Sequence, residues 1–160
     1  MGRRVFNKSA YDNFDMPAKQ RLVEVIEAQG IYKLASDINA ELYKQGDLVF
    51  TNGKHDVIFE NEVRINFDTI VNKYTTIHIP VRKKNTPADF YLVWRTDLWQ
   101  FIMIKRNVLR KYMNTCVEVT CNHEMNQDGA YDEYFIDIPK EETQWYVIGE
   151  GFKLTKVTYD

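Results

Sequence analysis

The chain has 160 residues, with 21 Lys+Arg against 23 Asp+Glu, and a formal net charge of −2 at pH 7. This length fits one domain with a single hydrophobic core. A charged fraction of 28% and a hydrophobic fraction of 44% are globular values, so the disordered and collagen-like classes are excluded. The near-neutral balance also argues against a protein that coats nucleic acid non-specifically.

Secretion and membrane crossing are not expected from this sequence. No apolar segment follows the basic residues at the start of the chain, as a secretory signal would require. No apolar run approaches the ~18 residues needed to span a bilayer. Two cysteines, Cys116 and Cys121, are too few for a disulfide framework. We therefore expect a cytoplasmic protein without a membrane partner. A viral protein in the host cytoplasm would also meet this expectation.

Helical patterns occupy the first part of the chain. Asp15 and Pro17 are typical of a helix N-terminus, and apolar residues at helical spacing follow over 22–26. Gly30 is a plausible end for this helix. A second, shorter helix is predicted over 36–44.

The period then changes to two, which indicates strands. Asn52-Gly53 is a strong hairpin signal, and it joins a strand at 48–50 to a return strand at 55–64. Helices followed mostly by strands predict an α+β fold, in which an N-terminal helix precedes a mixed, mostly antiparallel sheet with extra C-terminal strands. The later strands are predicted at 75–80, 89–95, 99–105, 116–121, 134–138 and 145–148.

Charge is distributed unevenly along the chain. Residues 1–81 carry ten basic and eleven acidic side chains, and residues 82–111 carry eight basic and two acidic ones. Residues 112–160 carry three basic and ten acidic side chains. The near-neutral total is therefore a cancellation between a basic middle and an acidic end.

One predicted strand carries an unusual row of charges. Alternate residues of a strand share a face, so Glu60, Glu62 and Arg64 are expected on one side of the strand at 55–64. Asp47 begins the partner strand across the hairpin, and Asp56 is an alternative to it. Three converging carboxylates would suit Mg²⁺ or Mn²⁺. The simpler interpretation is a solvated strand face with ordinary cross-strand ion pairs.

The order of these parts resembles the PD-(D/E)xK, or restriction-endonuclease-like, nuclease superfamily. A helix, then Gly46-Asp47-Leu48, a hairpin and Glu62-Val63-Arg64 follow in that order. The segment 57–64 is similar to the Glu-x-Glu-x-Lys strand of its small phage-type members, and Holliday-junction resolvases belong to the same superfamily. The resemblance implies a nuclease-like core over 17–105 of a single domain, 1–160, with an acidic, aromatic C-terminal elaboration over 112–160.

The resemblance also implies an activity and a site. It would be a Mg²⁺-dependent DNA endonuclease acting on branched or duplex DNA, generally as a homodimer. Arg64 stands where the superfamily has Lys, and a guanidinium that is always charged binds phosphate rather than serving as a neutral base. The alternative is a catalytically inactive nucleic-acid-binding or protein-interaction accessory protein on the same fold. The implied catalytic residues are Asp47, Glu60, Glu62, Arg64 and Glu24 (or Glu27 in place of Glu24), with Asp47, Glu60 and Glu62 as the metal ligands.

The basic middle of the chain is the predicted DNA-binding region. Clustered cations with few neighbouring acids favour contact with phosphates. The acidic and aromatic residues of 112–160 are a candidate surface for a protein partner. The predicted DNA contacts are His78, Arg82, Lys83, Lys84, Lys105 and Arg106.

Overall fold

The structure, a computed structural model, describes residues 14–38, 48–83, 85–121 and 131–160. The first helix, α1, has Pro17 in its first turn, where the missing N–H costs no hydrogen bond. Asp15 lies at its N-cap position, although its side chain makes no capping hydrogen bond. No helix in these ranges is long and apolar enough to cross a membrane. The helices are α1 (Met16–Ala28), α2 (Phe67–Asn72) and α3 (Arg106–Lys111).

The strands of the described ranges form two sheets. The larger has seven strands in the order β1-β2-β3-β5-β6-β9-β10, and the smaller has three in the order β4-β8-β7. The strands are β1 (Lys33–Leu34), β2 (Leu48–Thr51), β3 (Asp56–Val63), β4 (Thr76–Pro80), β5 (Phe90–Trp94), β6 (Gln100–Lys105), β7 (Cys116–Cys121), β8 (Tyr131–Pro139), β9 (Gln144–Ile148) and β10 (Leu154–Val157).

The pairing confirms the predicted α+β class and the mixed, mostly antiparallel sheet. β3 and β5 run parallel, whereas the other neighbours in both sheets are antiparallel. The parallel pair requires a crossover, and the chain makes it through α2, β4 and a short 3₁₀ turn at Val81–Lys83. This crossover carries part of the basic region over β3.

One face of the larger sheet packs on α1. Leu22 and Val25 of the helix are buried against Phe59 of β3 and against Leu92 and Trp94 of β5. The helix therefore covers the face to which the odd-numbered residues of β3 point.

The opposite face of the larger sheet packs on the smaller sheet. Tyr91 and Val93 of β5 are buried with Ile77 and Ile79 of β4, and Leu109 of α3 closes the same core. The even-numbered residues of β3 point to this side, so Glu60 and Glu62 lie at the margin between the two sheets.

Several elements differ from the sequence predictions. Residues 36–38 are not helical, and the remainder of the helix predicted over 36–44 lies outside the described residues. The hairpin loop spans 52–55, where Asn52 Oδ1 accepts hydrogen bonds from the backbone N–H groups of Lys54 (2.9 Å) and His55 (2.8 Å). Gly53 has φ +91°, a backbone conformation that glycine adopts readily because it has no Cβ. The sequence patterns did not predict β1, α2, α3 or β10.

The restriction-endonuclease-like core stays a prediction, as does the division into 17–105 and 112–160. In the structure, β9 and β10 belong to the larger sheet, where β9 pairs with β6. The C-terminal third thus contributes strands to both sheets.

Candidate functional site

The candidate site is a cluster of charged side chains along β3, at the margin between the two sheets. Glu60 and Glu62 share a strand face, as predicted, because side chains alternate along an extended backbone. Their partners come from β5, from the end of β3 and from the crossover after β4. The cluster therefore ties together parts of the chain that are far apart in sequence.

Glu60 is the most deeply buried acid of the cluster, with 6% of its surface exposed. Lys83 Nζ donates a hydrogen bond to one carboxylate oxygen, Oε1. Thr86 Oγ1 donates to the other oxygen, Oε2, at 2.5 Å. Because the two donors lie on the crossover, one carboxylate on β3 holds both of them in place.

Glu62 lies one step further along the same face and is paired with Arg64. Arg64 Nε lies 2.9 Å from Glu62 Oε1, and Arg64 Nη2 lies 3.0 Å from Glu62 Oε2, a bidentate geometry. Tyr91 of β5 donates a third hydrogen bond to Glu62 Oε2, at 2.5 Å. Arg64 also donates to the backbone carbonyl of His78 in β4, so the guanidinium bridges the two sheets.

The surroundings of Glu62 change its acidity. Burial raises its pKa, but the charge and hydrogen bonds of Arg64, the hydrogen bond from Tyr91 and the charge of Arg82 outweigh burial. The net result lowers the pKa of Glu62 from 4.5 to about 2. For Tyr91, burial and the neighbouring negative charge of Glu62 raise the pKa well above its usual value. Glu62 is therefore ionised and Tyr91 protonated near neutral pH.

A third charged pair lies near the start of the same strand. Asp89 Oδ2 accepts a hydrogen bond from the backbone N–H of Ile58 at 2.9 Å. Arg106 Nη2 lies 3.4 Å from Asp89 Oδ1, and the backbone N–H of Arg106 donates to the Asp89 carbonyl at 3.0 Å. These bonds connect the start of α3 to the end of the crossover.

Together these contacts place cations at successive levels of one strand. The first level is Ile58, beside which Asp89 pairs with Arg106, and the second is Glu60, which pairs with Lys83. The third is Glu62, which pairs with Arg64 and whose pKa is also lowered by the charge of Arg82. Alternate residues of a strand are about 6–7 Å apart, so the levels are regularly spaced. We call Arg106, Lys83, Arg64 and Arg82 the cation row.

Other predicted site residues are not brought to this cluster. Glu24 lies on α1, which covers the opposite face of the larger sheet, and Glu24 Oε2 is 3.6 Å from Arg21. The alternative, Glu27, accepts a hydrogen bond from the backbone N–H of Leu34 at 3.0 Å. Asp56 is exposed at the hairpin end of β3. Asp47 and Lys84 lie outside the described residues.

The other predicted DNA contacts, His78 and Lys105, occupy different positions. The His78 side chain lies on the outer side of the smaller sheet, with Nε2 3.2 Å from Asp137 Oδ1 and its ring 5.9 Å from that of Phe135. Lys105 is exposed at the end of β6, directly before Arg106.

Part of the basic middle is neutralised by ion pairs away from the cation row. Arg95 Nε lies 3.1 Å from Asp68 Oδ1, and its Nη1 lies 3.5 Å from Asp97 Oδ2. Lys111 Nζ lies 2.7 Å from Glu142 Oε1. Acidic side chains from outside 82–111 therefore neutralise part of the positive charge that the sequence of this segment carries.

The described donors do not fit a Mg²⁺ or Mn²⁺ site. Glu60 and Glu62 each accept hydrogen bonds from a cationic side chain and from a hydroxyl group, so a metal ion would have to displace Lys83 and Arg64. Within the described ranges, no group of three or more His, Cys, Asp or Glu residues is placed to hold a metal.

Several members of the cluster were not identified from the sequence. Thr86, Tyr91 and Asp89 lie 26 to 31 residues from their partners on β3. No local pattern marks Thr86 or Tyr91. For Asp89, the available signal is its position at the start of the predicted strand 89–95, between two groups of basic residues.

Comparisons with known proteins do not support any family assignment. No family model, curated protein or solved structure matches this chain. The resemblance to PD-(D/E)xK nucleases therefore stays a prediction.

Proposed function

We propose that this protein binds the phosphate backbone of nucleic acid along the cation row and that binding does not require catalysis. The observation that carries the proposal is that Arg106, Lys83 and Arg82 are associated with successive even-numbered positions of β3: Arg106 through Asp89 beside Ile58, Lys83 through Glu60, and Arg82 through its charge near Glu62. Phosphate backbones are bound by positioned Lys and Arg side chains, and such contacts supply most non-specific affinity.

Exposure of three members of the cation row supports this proposal, whereas the Arg64 side chain is only 13% exposed. Arg82 and Lys105 are exposed, and the side chains of Arg106 and Lys83 are 41% and 29% exposed. Arg110, which is also exposed, lies four residues after Arg106 and so on the same side of α3. The side chains of Lys83 and Arg106 can reach a phosphate while each remains paired with a carboxylate of the protein.

The carboxylates favour binding over metal-dependent chemistry. Glu60, Glu62 and Asp89 neutralise part of the positive charge, while Arg64, Arg82, Lys83, Lys105 and Arg106 outnumber them five to three. Glu60 and Glu62 also accept hydrogen bonds from Lys83 and Arg64 and so orient these cations, whereas Asp89 forms an ion pair with Arg106. Oriented cations would give a defined path for a backbone.

Fluorescence anisotropy over a series of salt concentrations tests this proposal. The labelled ligands are single-stranded, duplex and branched DNA, and RNA. We expect affinity to fall steeply with salt, and Arg82→Ala to reduce the slope of log K against log[salt] by about 1. Lys156→Ala is the matched control, because Lys156 is exposed on β10, outside the cation row. Absence of salt-dependent binding, or equal effects of the two variants, would contradict the proposal.

A metal-dependent DNA endonuclease is the second candidate. The observation that favours it is the pair of carboxylates, Glu60 and Glu62, side by side on one strand face, although a metal ion there would have to displace Lys83 and Arg64. DNA cleavage with Mg²⁺ or Mn²⁺, compared with cleavage in chelator, tests it in the wild-type protein and in Asp47→Ala and Glu62→Ala. Cleavage that needs the metal and is lost in both variants would establish this candidate, and a homodimer, measured by light scattering, would agree with it. No cleavage with either metal would leave nucleic-acid binding alone.

A further inference from the structure

We infer that Glu60 is a positioning residue, which holds the turn after β4 so that Arg82 and Lys83 face a nucleic-acid backbone. We call residues 81–83 and 85–86 the cationic turn. This inference rests on the proposed function, which it deepens by assigning a role to a buried acid that would not itself touch the ligand.

The contacts of Glu60 hold the cationic turn at two points. Oε1 receives Lys83 Nζ and Oε2 receives Thr86 Oγ1, so both oxygens of one carboxylate are engaged. Within the turn, the backbone N–H of Thr86 donates to the Lys83 carbonyl at 3.1 Å. The backbone N–H of Ala88 donates to Thr86 Oγ1 at 3.3 Å, which extends the connection toward β5.

Apolar packing anchors the beginning of this segment. Val81 packs against the apolar core between the sheets, and this contact fixes the beginning of the turn. Arg82, one residue later, is exposed. The hydrogen bonds from Lys83 and Thr86 to Glu60 orient the turn beyond Val81, because they are directional where apolar packing is not.

The burial of Glu60 gives this arrangement its energetic meaning. A carboxylate that is 6% exposed is costly unless it is paired and hydrogen-bonded. Release of Lys83 and Thr86 would leave that carboxylate unsatisfied, so alternative positions of the turn are disfavoured. The buried charge of Glu60 is thus stabilised only while the cationic turn keeps its position.

The sign of the effect separates positioning from simple electrostatics. Removal of a negative charge near a polyanion-binding surface should strengthen binding, because one repulsive interaction is lost. Loss of a positioning residue should weaken binding, because the cations of the turn become less well oriented. Glu60→Gln removes the charge at nearly constant volume, so the direction of its effect distinguishes the two.

The experiment measures two quantities in the full-length protein: affinity for labelled single-stranded and duplex DNA by anisotropy, and amide hydrogen exchange at Arg82, Lys83 and Thr86. The variants are Glu60→Gln and Thr86→Val, which removes one hydrogen bond without changing charge. Asp97→Asn is the control, since it removes one negative charge from an exposed turn with no contact to Glu60. Thermal unfolding of each variant confirms that the fold is retained.

We expect Glu60→Gln to weaken binding by about tenfold, an effect comparable to the loss of a backbone contact. Thr86→Val should weaken it less, in the same direction. Both variants should exchange faster at the three amides, whereas Asp97→Asn should bind as well as or slightly better than the wild-type protein. If Glu60→Gln does not fold, the affinity and hydrogen exchange of Thr86→Val alone test the role of Glu60.

Two negative results have different meanings. In the first, the wild-type protein binds DNA, and Glu60→Gln and Thr86→Val bind it equally well or more tightly, with unchanged hydrogen exchange. That result would overturn the role of Glu60 and leave the proposed function intact. Absence of binding by the wild-type protein would overturn the proposed function and, with it, the role of Glu60 in binding.

Discussion

The two faces of the larger sheet are both covered, but by different kinds of contact at β3. On the α1 side, Phe59 packs with Leu92 and Trp94, and the polar Asn61 accepts a hydrogen bond from the Trp94 indole N–H at 3.0 Å. On the side of the smaller sheet, Glu60 and Glu62 are held by cations and hydroxyl groups.

The two faces therefore contribute differently: one mainly stabilises the fold, and the other mainly orients side chains. Apolar burial contributes free energy roughly in proportion to area and has little directionality. Charged hydrogen bonds contribute little net free energy when their desolvation is included, but they define which groups face each other. We therefore expect changes on the α1 side to reduce stability most, and changes on the charged side to affect orientation and binding.

The largest expected loss of stability comes from the apolar face. Trp94 is fully buried, and Trp94→Ala should lower the free energy of unfolding by about 3–5 kcal/mol, as measured by urea denaturation. Trp99→Ala is the control, because Trp99 is 42% exposed and its ring contacts the guanidinium of Arg21 at 3.9 Å. That control should lose only about 1 kcal/mol. Equal losses would show that the α1 face is not the main source of stability.

The next effect concerns the Glu62–Arg64 pair. Arg64→Met should cost about 2–3 kcal/mol, because it leaves a partly buried carboxylate without its guanidinium. The double variant Glu62→Leu/Arg64→Met should recover most of that loss, since it leaves no unpaired charge. Denaturation of both single variants and the double variant gives the coupling free energy. Additive losses in this cycle would mean that the two side chains act independently.

Acid should weaken the same pair. The pKa of Glu62 is about 2 in the folded protein and close to 4.5 when unfolded, so the unfolded state binds more protons between these values. The contribution of Glu62 is thus fully present above about pH 4.5 and is lost as the pH falls toward about 2. On the order of 2–3 kcal/mol should disappear across this window in the wild-type protein. Chemical denaturation of the wild-type protein and of Glu62→Gln at pH 5 and pH 3 checks this; similar pH dependence of the two would contradict it.

The smallest effect is expected at an exposed ion pair. Arg95 pairs with Asp68 and Asp97, whose side chains are 62% and 45% exposed. Arg95→Met should change the free energy of unfolding by less than about 1 kcal/mol. A loss as large as that of Arg64→Met would remove the distinction between the charged cluster and the ordinary surface.

The predictability of the fold followed the strength of local patterns. The helix at Met16–Ala28 and most of the strands were predicted because their apolar residues recur over several turns or alternations. α2 and α3 are six residues each, too short for a helical period to be distinguished from neighbouring strand patterns. The two-residue strand β1 is visible only through its pairing with β2.

The candidate site was predictable only where it depends on one strand. Period two placed Glu60 and Glu62 on one face, as the structure confirms. The identity of their partners depends on the crossover, which brings Lys83 to a residue 23 positions away. Glu24 is predicted from its place on the first helix, but the sequence of that helix does not show which face of the sheet it covers.

The proposed function requires the cation row to be the nucleic-acid-binding surface. Amide hydrogen exchange of the wild-type protein, with and without single-stranded DNA, tests it most directly because it needs no variant. We predict new protection at Arg82 and Lys83 and over Lys105 to Arg110, while β9 and β10 are unchanged. Protection confined to β9 and β10, or no protection at DNA concentrations that saturate binding, would contradict it.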